Sequence, residues 1–332
     1  EIQKDLDDGI DTIGKKMTVC QLYAKQMRHR GNVRYNTKNG RKRLMKLLEE
    51  DKLGGCPIDS VKLSDAKEWA IRMKEKGISY KTISNDKRSL KAAFYTAIQD
   101  DCIRKNPFDF QLNTVIEDDT EPKVPLTPAQ EESFLSFAQN DKVYQKYYDE
   151  LIILLGTGLR ISELCGLTDT DIDFENRIIN VDHQLLRSAE TGYYIETPKT
   201  KSGIRQIPMS EKVYEAFNRV LKRRRGAKAV TIDGYSNFLF LNRDGYPKTA
   251  TNYDGMFRGL AKKYNKYHEE ALPKVMTPHT LRHTFCTNMA NAGMNPKALQ
   301  YIMGHSNITM TLNYYAHATF DSAKAEMLRI AA

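Results

Sequence analysis

Cysteine is scarce in this chain, and its pattern disfavours two common kinds of site. The 332 residues include five cysteines, an odd number, at scattered positions. No two of them form a C-x-x-C pair, so neither a disulfide framework nor a zinc site is indicated. We therefore expect reduced thiols and a cytoplasmic protein. The cysteines are Cys20, Cys56, Cys102, Cys165 and Cys286.

Long hydrophobic runs are also missing. An apolar stretch such as Leu151–Leu155 has the length of a core helix segment and is too short to cross a membrane. Neither a secretory signal nor an internal repeat is recognisable. We therefore expect no membrane contact and two globular domains, for which 332 residues suffice.

Positive charge is what the chain has in excess. Lys and Arg number 51 against 42 Asp and Glu, which gives a net charge of +9 at pH 7. The segment Lys25–Lys46 holds nine basic residues and no acidic one. Such a stripe suits phosphate contacts, because binding to a polyanion releases its counterions. A solvated helix face is the alternative for an isolated charge run, so the decision depends on motifs further along the chain.

Hydrophobic spacing predicts a helical N-terminal domain over residues 1–113, with Thr18 as the cap of its first helix. Residues 114–126 are acidic, contain two prolines and lack a helical stripe, which predicts a linker. A second domain then covers residues 127–332. The helical patterns of the first domain cover about 18–30, 38–51, 64–76 and 79–100.

The second domain is predicted to be mainly helical with a small antiparallel sheet. A proline follows Thr127 at a helix start, and Gly158 lies where a later helix ends. Alternating apolar and polar residues predict strands, and Ser202-Gly203 is expected to turn between two of them. The predicted strands are 177–186, 193–197, 204–208 and a short one at 238–241.

Two motifs of the second domain suit a bound phosphate. Arg160 begins a helical turn after a glycine break, and its guanidinium can hold two phosphate oxygens as lysine cannot. Glu163, one turn on, can orient Arg160, although an ordinary surface pair is the alternative. His279 and Arg282 share one face near the N-terminus of a helix opened by Pro278. Free amides and the helix dipole favour a phosphate there.

Metal binding has to be considered for the same helix. His279 and His283 have the i, i+4 spacing of a zinc-protease helix. Thr280 stands where that motif needs its general-base glutamate, so we expect no metal site. His283 is then interpreted as a supporting or merely packed residue.

A third motif joins a histidine to a pair of tyrosines. His305 follows a glycine that ends a helix, where positive charge is favoured, and Tyr314 and Tyr315 come nine and ten residues later. A tyrosine hydroxyl has a pKa of about 10 and is a poor nucleophile at neutral pH, but nearby arginines favour the phenolate. Attack on a phosphodiester would make a phosphotyrosyl ester, which can be rejoined without ATP or metal.

In these motifs the chain resembles the tyrosine recombinases, the phage-type integrase family, and most closely the integrases of conjugative transposons. The resemblance covers roughly the whole chain. It implies a core-type DNA-binding domain and an α+β catalytic domain. It also implies a site-specific recombinase that excises and integrates a mobile element through a covalent 3′-phosphotyrosyl intermediate, without a cofactor. The implied catalytic residues are Arg160, Lys199, His279, Arg282, His305 and Tyr315.

Two members of this catalytic set have an alternative nearby. Tyr315 matches the family branch in which the nucleophile begins a Tyr-x-His sequence, whereas other branches select Tyr314. The proton donor to the leaving 5′-oxygen is a lysine on a β-hairpin in this family. Lys199 matches that position best, and Lys201 is the alternative.

Double-stranded DNA, at the element ends and at the target, is the partner that the resemblance implies. It further implies a homo-oligomer on DNA, first a dimer and then a tetrameric synapse, with accessory DNA-bending proteins as candidate partners. The tail 318–332 is expected to form a helix that docks on a neighbouring protomer. Integrases of this type often carry a small additional DNA-binding domain before the position of Glu1. The expected DNA contacts are Arg34, Lys38, Arg41, Lys42, Arg43, Lys81, Lys87, Arg88 and Lys91.

Three other functions remain open at the level of sequence. A type IB topoisomerase shares the Arg/Lys/His/Tyr chemistry but works alone, and the helical first domain and short tail favour a recombinase over it. A catalytically silent DNA-binding regulator would keep the fold without forming a covalent adduct. A metal nuclease would lose its activity in a chelator.

Overall fold

The computed structural model describes residues 14–31, 33–121, 124–198, 200–224, 230–315 and 327–328. The chain divides into two compact units, Glu1–Pro122 and Lys123–Ala332. This division falls inside segment 114–126, where the sequence predicts a linker. Each unit has a hydrophobic core of its own.

The described part of the first unit contains four α-helices, which begin close to where the sequence predicts them. Thr18 caps the first helix, since its hydroxyl accepts a hydrogen bond from the N–H of Gln21. The side chain of Gln21 in turn accepts from the N–H of Thr18. Helices α1 to α4 span Val19–His29, Tyr35–Glu49, Leu63–Glu75 and Tyr80–Gln99.

An aromatic cluster fills the core of the first unit. Trp69 of α3, Phe94 of α4 and Phe108 are fully buried. The ring of Phe108 packs edge-on against Trp69 at 5.7 Å and tilted against Phe94 at 5.4 Å. Ile83 and Leu90 of α4 join this core, as their helical spacing predicts. The basic residues of α4 therefore fall mainly on its other faces.

The second unit is also mainly helical. Thr127, Thr277 and Asn295 cap three of its helices, each with a proline at the first helical position. A capping side chain followed directly by proline is a local signal, and it marks all three helix starts in the sequence. Helices α5 to α12 span Pro128–Asn140, Tyr148–Thr157, Ile161–Gly166, Glu211–Arg224, Ala250–Tyr267, Pro278–Asn291, Pro296–Met303 and Thr309–Leu312.

Five short strands form two small antiparallel sheets in the described part of this unit. In the first sheet β2 lies between β1 and β5, with Ile179 opposite Ile207. In the second sheet β3 pairs with β4. The strands β1 to β5 span Ile172–Asp173, Ile178–Val181, Gln184–Ser188, Gly192–Glu196 and Arg205–Pro208.

Three predictions about the strands are wrong. The segment 177–186 is not one strand, because β2 and β3 divide it between the two sheets. The segments 193–197 and 204–208 do not pair with each other, because β4 pairs with β3 and β5 pairs with β2. The segment 238–241 makes isolated bridges at its two ends and no strand. Alternation of residue types indicates which segments can be strands, whereas the choice of neighbour depends on packing between distant parts of the chain.

The core of the second unit lies around α6, which packs against α8 and α10. Leu151, Ile153 and Leu154 of α6 are fully buried. This packing brings the C-terminal end of α6 next to α10, where the candidate site lies. Within the residues that the structure covers, no helix combines the length and apolar character needed to span a bilayer.

Candidate active site

Arg160 is held at the start of α7 by a tight turn after α6. Gly158 ends α6 with a φ of 64°, a left-handed conformation that favours glycine. A Cβ at this position would lie 2.5 Å from Cδ1 of Phe285 and 2.9 Å from the sulfur of Met303. The turn therefore requires glycine for its conformation and for space. The N–H of Arg160 then donates to Oε2 of Glu163 at 2.8 Å, which caps α7.

Glu163 is the centre of a buried ion-pair network. Its Oε1 accepts hydrogen bonds from Nη1 of Arg160 at 2.6 Å and Nη1 of Arg205 at 3.0 Å, and its Oε2 accepts from Nη2 of Arg205 at 2.9 Å. Arg205 lies on β5 with a fully buried side chain, and its Nε donates to the carbonyl of Ile302 at 2.6 Å. Arg160 is 37% exposed, and its Nη2 donates to the carbonyl of Gly304 at 3.1 Å. The network ties α7 and β5 to the end of α11.

The surrounding arginines control the charge of Glu163. Burial alone would raise the pKa of its carboxyl group. The hydrogen bonds and charge of Arg205, followed by the charges of Arg160 and Arg282, outweigh burial and lower this pKa to about 2. Glu163 is therefore ionised at neutral pH and compensates one arginine.

Arg282 enters the same site from α10. It is 4% exposed, and its Nη1 and Nη2 donate to the carbonyls of Gly158 and Met303, both at 2.5 Å. These carbonyls belong to the ends of α6 and α11, where a helix leaves carbonyl groups without an internal partner. Burial, followed by the charge of Arg160, lowers the pKa of Arg282 to about 9. The guanidinium is therefore still charged at neutral pH.

His305 directly follows Gly304, which ends α11 with a φ of 61°. The residue is buried, and its Nδ1 lies 3.0 Å from Oγ1 of Thr311. The side chain of Gln300 donates to the backbone carbonyl of His305 at 3.0 Å. Burial, followed by the charge of Arg282, lowers the pKa of His305 to about 4. The imidazole is therefore neutral at physiological pH, although the helix end favours a positive charge.

The site holds two positive charges in excess. Three guanidinium groups, those of Arg160, Arg205 and Arg282, surround the one carboxylate of Glu163, and His305 beside them is neutral. Like charges that are buried together are unfavourable unless another anion binds. A phosphodiester has one negative charge and two non-bridging oxygens, which match the fork of a guanidinium. The arrangement is therefore suited to bind a phosphate and to stabilise the charge that grows on it during reaction.

The two adjacent tyrosines have different surroundings. The hydroxyl of Tyr315 donates to the backbone carbonyl of Met294 at 2.5 Å. The ring of Tyr314 packs against the ring of His283 at 4.8 Å. Burial is the largest cause that raises the pKa of both hydroxyls, and within the described residues the charge of Arg282 opposes this shift at Tyr314 and not at Tyr315. Of the two tyrosines, Tyr314 is thus the one whose hydroxyl is affected by the charge of Arg282.

The predicted proton-donating lysine cannot be located in the same way, since Lys199 lies outside the described residues. Its alternative, Lys201, is exposed in the 3₁₀ turn Lys201–Gly203, directly before β5. Because β5 carries Arg205, this turn is connected through one short segment to the arginine cluster.

The two histidines of α10 lie on either side of Arg282 in sequence. His279 is exposed in the first turn of the helix, and its charge is one of the causes that lower the pKa of His305. His283 is half-buried and contacts Tyr314 through its ring. His279 therefore lies on the side of the arginine cluster, and His283 on the side of the tyrosines.

The nine predicted DNA contacts lie on α2, on α4 or at the residue before α2. Five of them make hydrogen bonds inside the first unit, and they are Arg41, Arg43, Lys87, Arg88 and Lys91. Their acceptors are, in the same order, the Arg30 carbonyl, the Asp86 carboxylate, the Phe110 carbonyl, the Asn85 side-chain oxygen and the Asp109 carboxylate. All nine predicted contacts are exposed or half-buried.

Sequence reasoning missed two residues of this site. Arg205 is at an inward position of β5, in alternation with the buried Ile207. An arginine in register with buried apolar residues is the signal that could have identified it. No comparable signal marks Thr311, because its contact with His305 depends on how α12 packs against the end of α11.

One group among the described residues, formed by Asp171, Asp182 and His183, could offer three ligand atoms to a metal ion. These three residues already make hydrogen bonds to other groups of the protein. Asp171 accepts from the N–H and the hydroxyl of Thr168, both at 2.7 Å. The ring nitrogens of His183 lie 2.8 Å from the carbonyl of Gly166 and 2.5 Å from Asp182. Hydrogen bonding thus accounts for this group without an ion.

Comparison with known proteins identifies the family. Residues 125–322 match the phage integrase family. The chain belongs to this family, the tyrosine recombinases, which are enzymes that cleave and rejoin DNA strands. Its mainly helical fold with small antiparallel sheets is that of the family, as the sequence predicts.

Two of the similar proteins come from transposons. The transposase from transposon Tn916 of Enterococcus faecalis is 69% identical over 330 residues, which cover 99% of this chain and 81% of that protein. The Tn1549 transposon integrase in complex with a circular intermediate DNA is 78% identical, with a TM-score of 0.90 over 95% of this chain and 99% of that chain. The same integrase in complex with transposon right end DNA is also 78% identical, with a TM-score of 0.90 over 95% of this chain and 100% of that chain. The first complex carries an arginine-to-lysine substitution and the second a tyrosine-to-phenylalanine substitution, 154 positions apart.

Proposed function

We propose that this chain is the integrase of a conjugative transposon, which excises and integrates DNA through a covalent phosphotyrosyl intermediate. The observation that carries the proposal is the cluster of three arginines around the buried Glu163, with two positive charges in excess. The similarity to the Tn916 transposase and to the Tn1549 integrase, solved with transposon-end and circular-intermediate DNA, supports the substrate. The partner is then double-stranded DNA at the element ends and at the target.

The arginines act on the phosphodiester that is cut. Arg160 and Arg282 bind its non-bridging oxygens, and Arg205 holds Arg160 in place through Glu163. When the tyrosine oxygen attacks phosphorus, a new P–O bond forms while the bond to the 5′-oxygen breaks, which leaves the tyrosine linked to the 3′-phosphate. Negative charge on the phosphoryl oxygens grows in the transition state, and the preorganised guanidinium groups stabilise it. Rejoining reverses these steps with a 5′-hydroxyl as the nucleophile.

Two proton transfers accompany each cleavage. The attacking tyrosine loses a proton, and the leaving 5′-oxygen gains one. Lys199 donates to the leaving oxygen, with Lys201, exposed before β5, as the alternative. The neutral His305 acts on the phosphate as a hydrogen-bond donor and not as a fixed cation, and His279 is a second hydrogen-bond donor to it.

We propose Tyr314 as the nucleophile, in place of Tyr315, which the sequence motif favours. The hydroxyl of Tyr315 is used in a hydrogen bond to Met294, whereas the charge of Arg282 acts on Tyr314. The two substitutions in the Tn1549 integrase complexes are 154 positions apart, as Arg160 and Tyr314 are in this chain. Tyr315 is one residue further along. These observations support the assignment independently of one another.

The integrase is proposed to act as a homo-oligomer on DNA, first as a dimer and then as a tetrameric synapse. Each cleavage needs its own tyrosine, so the exchange of strands between two duplexes requires several protomers. Basic residues of α2 and α4 supply phosphate contacts, and accessory DNA-bending proteins are further candidate partners. The tail 318–332, of which Met327 and Leu328 are described, is proposed to dock on a neighbouring protomer. The exposure of these two apolar residues, 74% and 63%, supports such a contact.

A suicide substrate tests the chemistry and the nucleophile together. Nicked DNA from the end of the element is incubated with protein in a chelator and run on a denaturing gel. We expect the wild type and Tyr315→Phe to form a slow-migrating covalent adduct and Tyr314→Phe to form none. Tyr267→Phe, a substitution of an exposed tyrosine on α9, is the control.

Other outcomes of this assay point to other functions. Loss of the adduct with Tyr315→Phe alone would retain the chemistry and return the nucleophile to Tyr315. A wild type that binds the DNA and forms no adduct would contradict the proposal and favour a DNA-binding regulator. Relaxation of supercoiled plasmid without synapsis would favour a topoisomerase.

A further inference from the structure

Thr311 is a fully buried residue of α12 whose hydroxyl is directed at a histidine. Its Oγ1 lies 3.0 Å from Nδ1 of His305, which is itself 6% exposed. The backbone N–H of Thr311 donates to the carbonyl of Ile308 at 2.8 Å. The side chain of Thr311 therefore contacts His305, while its backbone N–H makes a hydrogen bond within the turn that begins α12.

The direction of this hydrogen bond follows from the available donors and acceptors. A threonine hydroxyl has one hydrogen to donate, and in the part of the chain that the structure describes its hydrogen-bond partner is Nδ1 of His305. If Nδ1 carried the ring proton, both groups would be donors and the hydroxyl hydrogen of Thr311 would be buried without an acceptor, which is unfavourable. The hydroxyl therefore donates, Nδ1 accepts, and the ring proton is on Nε2.

This tautomer decides what the other edge of the ring offers to a ligand. Nε2 lies on the edge of the imidazole opposite Thr311. The charges that act on the ring of His305 are, in decreasing order, those of Arg282, Arg160 and Arg205, which make up the phosphate-binding cluster. An N–H at Nε2 can donate to a phosphate oxygen, whereas the other tautomer would present a lone pair that repels it.

We propose that Thr311 is a positioning residue for DNA cleavage, which holds His305 in the tautomer whose Nε2–H donates to a non-bridging phosphate oxygen. The proposal rests on the proposed function for the presence of the phosphate. The tautomer, however, is a property of the protein alone and can be measured without DNA. Thr311 acts through the ring of His305 and takes no part in bond making.

Nitrogen NMR of the full chain labelled with ¹⁵N-histidine tests the tautomer. Seven histidines give a spectrum that is small enough for His305→Asn to assign the signals of His305. In the wild type at neutral pH we expect a pyridine-type shift for Nδ1 and a pyrrole-type shift for Nε2. Thr311→Val, which replaces the hydroxyl with a methyl group of similar size, should give a mixture of tautomers. A pyrrole-type Nδ1 in the wild type would overturn the proposal.

Single-turnover cleavage of the suicide substrate tests the consequence. Loss of one hydrogen bond predicts that Thr311→Val cleaves about tenfold more slowly than the wild type, with unchanged DNA affinity. Thr311→Ser keeps the hydroxyl and should cleave close to the wild-type rate. In a His305→Asn background Thr311→Val should have no further effect, because the residue acts through the imidazole.

A structural role alone would give a different pattern. Thr311→Val would then slow cleavage by the same factor in both backgrounds, and that result would refute the proposal. Equal rates for the wild type and Thr311→Val would refute it as well. A wild type that does not cleave would count against the proposed function, and the NMR measurement would still decide the tautomer.

Discussion

Replacing Glu163 with glutamine tests whether one buried carboxylate organises the arginine cluster. The amide has almost the same shape, but it lacks the charge and turns one acceptor oxygen into a donor. Each carboxylate oxygen accepts one hydrogen bond from Arg160 and one from Arg205. Two of the four bonds are therefore lost whichever way the amide turns, and an N–H group then faces N–H groups.

The pKa of Glu163 sets the size of the effect. The carboxyl has an ordinary pKa of 4.5 and a pKa of about 2 in the folded protein. At about 1.36 kcal/mol per pH unit, the ionised carboxylate contributes about 3 kcal/mol to the free energy of unfolding at pH 7. Its side chain is 4% exposed, so solvent screens this contribution little. Removing one partner of a buried ion pair typically costs about 3–5 kcal/mol, and the value obtained from the pKa of Glu163 agrees with this range.

The contribution of Glu163 depends on pH in a definite direction. Because folding lowers its pKa, the stabilisation is complete above about pH 4.5 and is lost as the pH falls towards about 2. The free energies of unfolding of the wild type and Glu163→Gln should therefore differ by the full amount at pH 7. The difference should be smaller at about pH 3.5.

Urea unfolding with two probes provides the assay. Trp69, the sole tryptophan, is buried in the first unit, so its fluorescence follows that unit, while circular dichroism follows the helices of both. We expect Glu163→Gln to lower the midpoint of the transition that circular dichroism records for the second unit. Glu132→Gln makes the same charge change at an exposed position of α5 and should shift stability by less than about 0.5 kcal/mol. A Glu163→Gln protein as stable as this control at pH 7 would refute the reasoning.

Three further predictions concern the other parts of the site and the DNA interface. Arg282→Lys keeps the charge, but its single ammonium group cannot reach both backbone carbonyls. Cleavage of the suicide substrate should therefore slow by about 10²–10³-fold while the DNA remains bound. Cleavage at the wild-type rate would contradict the assignment of Arg282 to the active site. Gly304→Ala should lower the free energy of unfolding by at least about 1 kcal/mol, since φ is 61° and its Cβ would lie 3.0 Å from a carbonyl oxygen. Gly255 on α9 has open space around it, so Gly255→Ala should leave the free energy of unfolding unchanged or raise it by up to about 1 kcal/mol. Equal effects of the two substitutions would contradict the left-handed conformation and close packing of Gly304. Replacing Lys38 and Lys42 with glutamine should weaken DNA binding and reduce the slope of log K against log salt by about two, and an unchanged slope would exclude them as phosphate contacts.

Much of the local structure could be predicted because its causes lie within a few residues. Thr127, Thr277 and Asn295 mark helix starts, since a cap bonds to N–H groups two or three residues away. Gly158 and Gly304 mark helix ends for an equally local reason, their left-handed conformation. The pairing of the strands could not be predicted in this way, because β5 has its hydrogen-bond partner in β2, beyond two intervening strands.

The sequence by itself determined the class of chemistry and most of the residues that take part in it. Arg160, Arg282 and His305 stand in motifs whose spacing indicates phosphate binding, and the tyrosines beyond them indicate a covalent step. The tertiary structure decided that Arg205 completes the cluster and that His305 is neutral. The physical reason is that charge, burial and pKa depend on distances between groups that lie far apart in the chain. Such distances exist only after folding has brought the ends of α6, α10 and α11 together.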